Sequence, residues 1–340
     1  MSLFALHNMV NSILRIGTRE SPLAVWQAQQ VQNHLSISGV KSELIYIKSE
    51  GDTDVITPLY ALGVQGIFTK ALDAALLNNR IDIAVHSLKD VPVQMAEGIK
   101  QAAVLKRASY KDIFVYKDKA DLEQLGYING EWKNVKHQTS INSHSPLTIH
   151  HSSFTIATSS VRRIAQWLNR YPGHTIENLR GNVNTRLNKV AKHNWNGAIF
   201  AAAGLERINL RPSNAVDLDW MLPAPAQGAI VVVCRKEDEE IYKACQNFND
   251  EATEMCVKIE RDFLKILLGG CSTPISALAF VKDEQVEFKG NVLSVDGKEK
   301  IEVEKTVHIS DAAQLGIIAG EKILSNGGVK IIEHIRNAPK

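Results

Sequence analysis

A short apolar run, Ile13-Leu14-Arg15-Ile16-Gly17, stands just ahead of Ser21-Pro22, and this pairing constrains the fold most. An apolar run feeding an N-cap serine and a first-turn proline reads as a buried strand that enters a helix. Ala24, Ala28, Val31 and Leu35 recur behind it at helical spacing. Residues 43–48 alternate as a second strand, 68–79 predict a helix, and 81–85 a buried strand. Such alternation requires a parallel sheet with right-handed crossovers. The pattern restarts at Phe154-Thr155-Ile156-Ala157, with helices from Val161 and Val183 and strands at 198–201 and 229–234. Leu222-Pro223-Ala224-Pro225 reads as a crossing between domains.

From Glu251 the character changes. A long helix runs to about Leu268 and stops at Gly269-Gly270. Strand-like alternation over 276–295, a hairpin turn at Asp296-Gly297, a strand at 301–308 and a helix near 312–325 predict a small α+β domain. The chain has 340 residues, enough for two or three domains at roughly 100–200 residues each. The expected division is an α/β domain over 13–106 and 229–246, a second α/β domain over 111–222, and a small α+β domain over 251–337 that carries Cys271. Residues 117–152 are polar, rich in histidine and poor in periodicity, and predict an inserted surface loop in which Asn129-Gly130 closes a small hairpin.

Composition excludes several classes. The 39 basic and 37 acidic residues leave a net charge of +2, which argues against general nucleic-acid binding. No run of 18 apolar residues is present, so no membrane span is expected. Residues 1–12 do not read as a signal peptide, and the expected location is the cytoplasm. Cysteines at 234, 245, 256 and 271 form no Cys-x-x-Cys pair, which speaks against a disulfide scaffold or a zinc site. The histidines make no metal motif, and neither a Gly-x-Gly-x-x-Gly nor a Walker loop occurs.

Three strand-to-helix junctions share one chemistry: Thr18-Arg19-Glu20-Ser21, Thr158-Ser159-Ser160-Val161-Arg162-Arg163, and Leu179-Arg180-Gly181-Asn182-Val183-Asn184-Thr185-Arg186. Open α/β sheets bind ligands beyond the carboxyl ends of their strands, where helix N-termini favour anions. In the second junction Val161, Ile164, Ala165 and Leu168 are expected to form the buried stripe, leaving Arg162 and Arg163 off it in the first turn. Cations there oppose the helix dipole, by about 0.3–1 kcal/mol each. They make sense if an anion lies between them and the free N–H groups. One such turn alone is most simply a solvated basic turn; three in one chain favour a carboxylate site, to which arginine is suited by its bidentate grip.

Val85-His86-Ser87-Leu88-Lys89-Asp90-Val91-Pro92 places Lys89 and Asp90 just past a buried strand. Asp90 suits a positive charge appearing on a ligand; a plain Lys-Asp surface turn explains the dipeptide equally simply. Cys271 follows two glycines at a helix end, and spacing leaves open whether it is a small buried hydrophobe or an attachment point. Cys234 and Cys256, inside apolar elements, read as buried.

Taken together, these residues resemble the hydroxymethylbilane synthase, or porphobilinogen deaminase, family. The resemblance is carried by Arg15-Ile16-Gly17-Thr18-Arg19-Glu20-Ser21-Pro22-Leu23-Ala24, by Asp82-Ile83-Ala84-Val85 continuing to Pro92, by Thr158 to Arg163, by Leu179-Arg180-Gly181-Asn182-Val183, and by Gly269-Gly270-Cys271-Ser272-Thr273-Pro274-Ile275. It implies two periplasmic-binding-protein-like (type II) α/β domains forming a cleft, with a small α+β domain built on a three-stranded antiparallel sheet. It implies a transferase that joins four porphobilinogen molecules head to tail on a covalent dipyrromethane primer, one per chain, and releases a linear tetrapyrrole for haem biosynthesis. The primer would be held by a thioether to Cys271, with Ser87, Lys89, Asp90, Ser160, Arg162, Arg163, Arg186 and Gln227 around it. Arg19, Ser21, Phe68, Arg180, Arg186 and Arg207 would bind substrate, and Asp90 would be catalytic. A monomer with no metal, nucleic-acid or membrane partner is implied. Ala61 and Gln65 stand where the family usually carries lysines, while Phe68 and Lys70 match the end of that loop. Two other readings compete: a non-catalytic two-domain protein for an anionic small molecule, which leaves Gly269-Gly270-Cys271 without a purpose, and a cysteine-nucleophile enzyme, for which no partner histidine is placed.

Overall fold

The computed structural model describes residues 13–49, 66, 69–133, 153–269 and 273–337. Strand β1 (Leu14–Thr18) lies between β2 (Ser42–Tyr46) and β3 (Ile83–Ser87), parallel to both. Helix α1 (Pro22–Ile37) follows β1, with the Ser21 hydroxyl accepting from the amide of Ala24 at 3.4 Å. It packs through Ala24, Ala28, Val31 and Leu35, as the spacing predicts. Helix α2 (Lys70–Leu77) leads to β3. The sheet is completed by β4 (Ile99–Val104) and by β12 (Ile230–Arg235), in the order β2-β1-β3-β12-β4. Strand β12 runs antiparallel to both β3 and β4 and is buried at all six positions, which is why it reads as a continuous apolar run rather than an alternating one.

The second sheet repeats this plan. Strands β5 (Asp112–Tyr116), β8 (Thr155–Ala157), β9 (Thr175–Glu177), β10 (Gly197–Ala201) and β11 (Ala215–Asp217) lie in the order β9-β8-β10-β5-β11. Strand β8 is parallel to β9 and β10, and β5 is antiparallel to β10 and β11. In each sheet the antiparallel strand arrives after a crossing, through 105–111 into β5 and through 218–229 into β12. This exchange makes the pair a type II periplasmic-binding-protein architecture. Helices α4 (Val161–Arg170) and α5 (Val183–Lys192) begin at the two junctions of this unit, and α6 (Ala202–Glu206) follows β10. Helix α7 (Glu239–Gln246) returns against the first sheet.

The third unit is the antiparallel sheet β13 (Ile275–Lys282), β14 (Gln285–Leu293) and β15 (Lys300–His308), packed by α8 (Glu251–Ile266) and α9 (Leu315–Ile323). Phe263 of α8 meets Phe288 of β14 edge-on, with ring centroids 5.2 Å apart. The expected turn at Asp296-Gly297 is present, with Gly297 at φ 74. A Cβ there would lie 2.5 Å from the carbonyl oxygen of Ala165 in α4, so the turn also docks closely on the second unit. The stretch 276–295 contains two strands, because a further turn at Asp283 and Glu284, with φ of 48 and 60, uses no glycine to mark it.

The segment from 117 corrects the surface-loop expectation as far as it is described. Helix α3 (Lys119–Gln124) is capped by Asp118, and β6 (Tyr127–Ile128) pairs with β7 (Glu131–Trp132) across Asn129-Gly130. Leu122 and Leu125 are buried in the second unit's core. Their helix is too short for periodicity to reveal it. Residues 134–152 lie outside the described residues.

Candidate active site

The residues Thr158-Ser159-Ser160 turn the chain from β8 into α4. The Ser159 hydroxyl donates to the carbonyl of Leu179 at 2.6 Å and accepts from that residue's amide at 2.9 Å, which ties this junction to the next one. Ser160 is the extended N-cap residue. Arg162 and Arg163 follow, and here the structure corrects the expected stripe. Both are buried, at 4% and 6% exposure, while Ile164 and Leu168 are only half-buried. The reason is Asp112, the fully buried first residue of β5. One of its oxygens lies 2.7 Å from Arg162 Nη1, and the other accepts from Arg163 Nε at 3.0 Å and Nη2 at 2.8 Å. The anion inferred beside these arginines is therefore, in the first place, a carboxylate of the chain itself. Burial alone would raise the Asp112 pKa, but the two guanidiniums outweigh it and hold the carboxyl well below the usual range.

Gln227, wholly buried, extends the group. Its Nε2 donates to Asp112 at 3.0 Å and to the carbonyl of Tyr110 at 2.7 Å, and its Oε1 accepts from Lys89 Nζ at 3.4 Å. Lys89 and Asp90 sit in a single 3-10 turn, Leu88–Asp90, directly after β3. Burial pushes the Lys89 ammonium down to about 8, opposed by Asp90 and aided by Arg163 and Arg162. Arg186 is pushed down to about 10 by burial and by Arg163 and Arg180, again opposed by Asp90. Its Nε donates to the carbonyl of Gly181 at 2.7 Å. Thus Lys89, Asp90, Arg162, Arg163, Arg180, Arg186 and Gln227, drawn from separate sequence motifs, share one electrostatic neighbourhood.

A second group surrounds the start of α1. Ser21 caps that helix, Ser87 exchanges hydrogen bonds with Gln27 of α1 at 2.8 and 3.3 Å, and the Arg19 charge acts on buried His86. Arg207, at the end of α6, reaches across from the second unit. It donates Nη2 to the carbonyl of Gly228 at 2.7 Å and lies over the Trp26 ring, 5.6 Å from its centroid. Burial, with Glu206 opposing, lowers Arg207 to about 10. Ser87 ends β3 and Lys89-Asp90 follow it, so the backbone itself joins the two groups. Cys271, Phe68, Ala61 and Gln65 lie outside the described residues. Cys234 and Cys256 are buried, with burial pushing both thiols up to about 11, as expected of small core hydrophobes.

Sequence reasoning missed Asp112, whose only signal is a charge opening the apolar run Ile113-Phe114-Val115. It also missed Glu260, a fully buried carboxylate on α8. Glu260 takes Arg107 Nη1 at 2.6 Å and Nη2 at 2.9 Å, and the amides of Ala226 at 2.6 Å and Ala279 at 2.8 Å. It therefore fastens both crossings to the third unit.

The donor set suits an acidic organic group. Arg162 Nε and Arg207 Nε are buried and have no hydrogen-bond partner among the described residues. Such donors are costly unless a ligand satisfies them. One internal carboxylate, Asp112, serves two arginines, so the cations of this group outnumber the carboxylate that they share. Among the described residues no group of three or more histidine, cysteine or acidic side chains is placed to hold a metal ion, and no helix is long and apolar enough to cross a membrane.

Fold and side chains together define a two-unit α/β protein of type II periplasmic-binding-protein architecture, with a cluster of buried arginines at its strand ends and a third α+β unit clasped to its crossings. The family described as porphobilinogen deaminase, dipyromethane cofactor binding domain, matches residues 14–243, and the porphobilinogen deaminase C-terminal domain matches residues 254–325. The chain belongs to the porphobilinogen deaminase family. It is 36% identical over 329 residues to the porphobilinogen deaminase of Acidithiobacillus ferrooxidans, covering 96% of this chain and 99% of that one. It is 35% identical over 327 residues to that of Desulforamulus reducens, covering 95% and 98%. Similar solved structures include an ancestral cationic amino acid solute binding protein, with a TM-score of 0.41, 14% identity and coverage of 72% of this chain and 91% of that one. Another is the BvgS periplasmic VFT2 domain of Bordetella pertussis, with a TM-score of 0.39, 13% identity and coverage of 72% and 90%. Strand order and pairing define the architecture.

Proposed function

We propose that this chain is a transferase that condenses four porphobilinogen molecules into hydroxymethylbilane. The observation that carries the reading is the convergence of Asp90 with Lys89, Arg162, Arg163 and Arg186 within a chain of this family. When bound by a thioether to Cys271, the dipyrromethane group supplies the pyrrole carbon on which growth begins. Lys89, Arg162, Arg163 and Arg186 neutralise its carboxylates, and Ser87, Ser160 and Gln227 supply neutral hydrogen-bonding groups. Arg19, Ser21, Arg180, Arg186, Arg207 and Phe68 receive the acetate and propionate groups of incoming porphobilinogen.

Asp90 accepts hydrogen bonds from the pyrrole N–H groups and stabilises the cation that develops on porphobilinogen as its C–N bond to the departing ammonia breaks. A fixed carboxylate aimed at developing positive charge lowers the barrier without reorganising. The buried cations around it offset the mutual repulsion of the several carboxylates gathered in one site. The enzyme acts as a monomer in the cytoplasm; light scattering of the loaded protein tests the first part of that statement.

Intact-protein mass spectrometry tests the assignment. The purified chain carries added mass equal to two linked pyrrole units, and Cys271→Ser lacks it. Asp90→Ala retains its fold and loses nearly all turnover. An unmodified, fully active protein sinks the primer assignment, and normal turnover in Asp90→Ala removes Asp90 from the chemistry. The anionic-binding-protein alternative gains support only if porphobilinogen binds without ammonia release.

A further inference from the structure

Helix α8 has two working faces. Cys256, Ile259 and Phe263 belong to the core of the third unit. Val257 packs instead with Leu88, Val91, Ala226 and Ala229 in a core of the first unit. One turn beyond Val257, on the same face, Arg261 donates Nη1 to the carbonyl of Val91 at 3.0 Å and Nη2 to that of Pro92 at 2.6 Å. The carbonyls of Leu88 and Val93 lie 3.4 and 3.3 Å from the same two nitrogens. One guanidinium from the third unit thus faces four carbonyls that bracket Lys89 and Asp90.

The turn needs such a partner. Its entry is fixed by the Leu88 amide, which donates to the carbonyl of Ala229 at 3.0 Å, and by the fully buried Leu88 side chain. Its exit has the Val91 amide donating to the Leu88 carbonyl at 3.2 Å, and then Pro92, which has no N–H to give. Carbonyls at a helix exit are left without donors by helix geometry, and a cation there is favoured. Arg261 is a planar donor fork pre-organised to span two adjacent carbonyls at once, a geometry that the flexible, compact ammonium of a lysine does not fix.

We propose that Arg261 is the positioning residue for Asp90, holding the exit of its turn so that the carboxylate keeps its place in the site. The inference rests on the assignment of Asp90 under Proposed function. Arg261 acts through the backbone of residues 91–93. Loss of its grip lets the turn relax, and a displacement on the order of 1 Å at a reacting group costs about 100-fold in rate.

The test uses the primer-loaded enzyme. Arg261→Met lowers kcat by roughly 10- to 100-fold with KM for porphobilinogen within about twofold, and Arg261→Lys recovers part of the loss. In an Asp90→Glu background, whose carboxylate is already displaced, Arg261→Met costs less than about threefold more, because coupled positions are not additive. A purely structural role would multiply the two losses. Unchanged kcat in Arg261→Met, or multiplicative losses, overturns the proposal. If Arg261→Met does not accumulate in loaded form, Arg261→Lys carries the same cycle: a kcat loss of roughly 3- to 10-fold that vanishes on Asp90→Glu supports it, and full kcat overturns it. Asp90→Asn separates the two readings. Normal turnover there defeats the Asp90 assignment, whereas an inactive Asp90→Asn beside an unaffected Arg261→Met defeats only the role of Arg261.

Discussion

Asp112 and Arg163 are 51 residues apart in sequence and meet through two hydrogen bonds to a single carboxylate oxygen, from Nε at 3.0 Å and Nη2 at 2.8 Å. Arg162 takes the other oxygen. The pair of cations in the first turn of α4 is therefore held by the opening residue of β5, before any ligand arrives. Asp112→Ala leaves two buried guanidiniums uncompensated and is expected to cost about 3–5 kcal/mol of stability. Asp112→Asn keeps the shape and one acceptor oxygen but not the charge, so it is expected to be destabilised less than Asp112→Ala and to load primer more slowly. Urea denaturation measures the first effect, and the modified fraction by mass spectrometry the second.

Glu260 is the second buried node. Removing its charge strands Arg107 and deprives the amides of Ala226 and Ala279 of an acceptor. Glu260→Ala is expected to destabilise the chain by about 3–5 kcal/mol, as loss of one member of a buried pair does. Because Glu260 ties both crossings to the third unit, calorimetry should show one transition split into two in this variant. A single transition with unchanged midpoint would contradict its role as the fastening point.

Lys89 supplies a pH test. Its folded pKa is lowered to about 8 from 10.5. Between those values the unfolded chain holds more protons, so this group's contribution to stability rises as pH climbs through that window. Capture of carboxylates runs the other way, since it needs the ammonium. Primer assembly on primer-free protein should slow as pH rises through about 8, and Lys89→Arg, which stays charged, should flatten that limb. A profile identical in both proteins would exclude Lys89 from anion capture.

His86 supplies the acid counterpart. Burial first, then the Arg19 charge, lowers it to about 4 from 6.5. The folded state binds fewer protons between pH 4 and 6.5, so the contribution of His86 is complete above 6.5 and is lost as pH falls toward 4, amounting to roughly 3 kcal/mol. Denaturant midpoints measured at pH 7 and 4.5 should converge in His86→Leu relative to the unaltered protein.

Much of the frame was legible in the residues. Ser21-Pro22 marks the start of α1, the 198–201 run sits in β10, Asp296-Gly297 closes its hairpin, and the arginine junctions lie at the strand ends. The edge strands β4, β9 and β11 and the inner strand β5 carry no such signal. Strands β9 and β11 are only three residues long, and β4 and β5 flank the 105–111 crossing without the helix signals that flagged their neighbours.

The sequence by itself determined the alternating α/β frame, the cap positions and the kinds of side chain at each junction. Those features depend on residues within a few positions of one another, through backbone hydrogen bonding and the periodicity of burial. Only the tertiary structure decided which anion Arg162 and Arg163 face, and that Glu260 and Arg261 of one helix hold the crossings and the Asp90 turn. These are contacts between residues far apart in the chain, and their energies come from burying charge against charge, which no local pattern records.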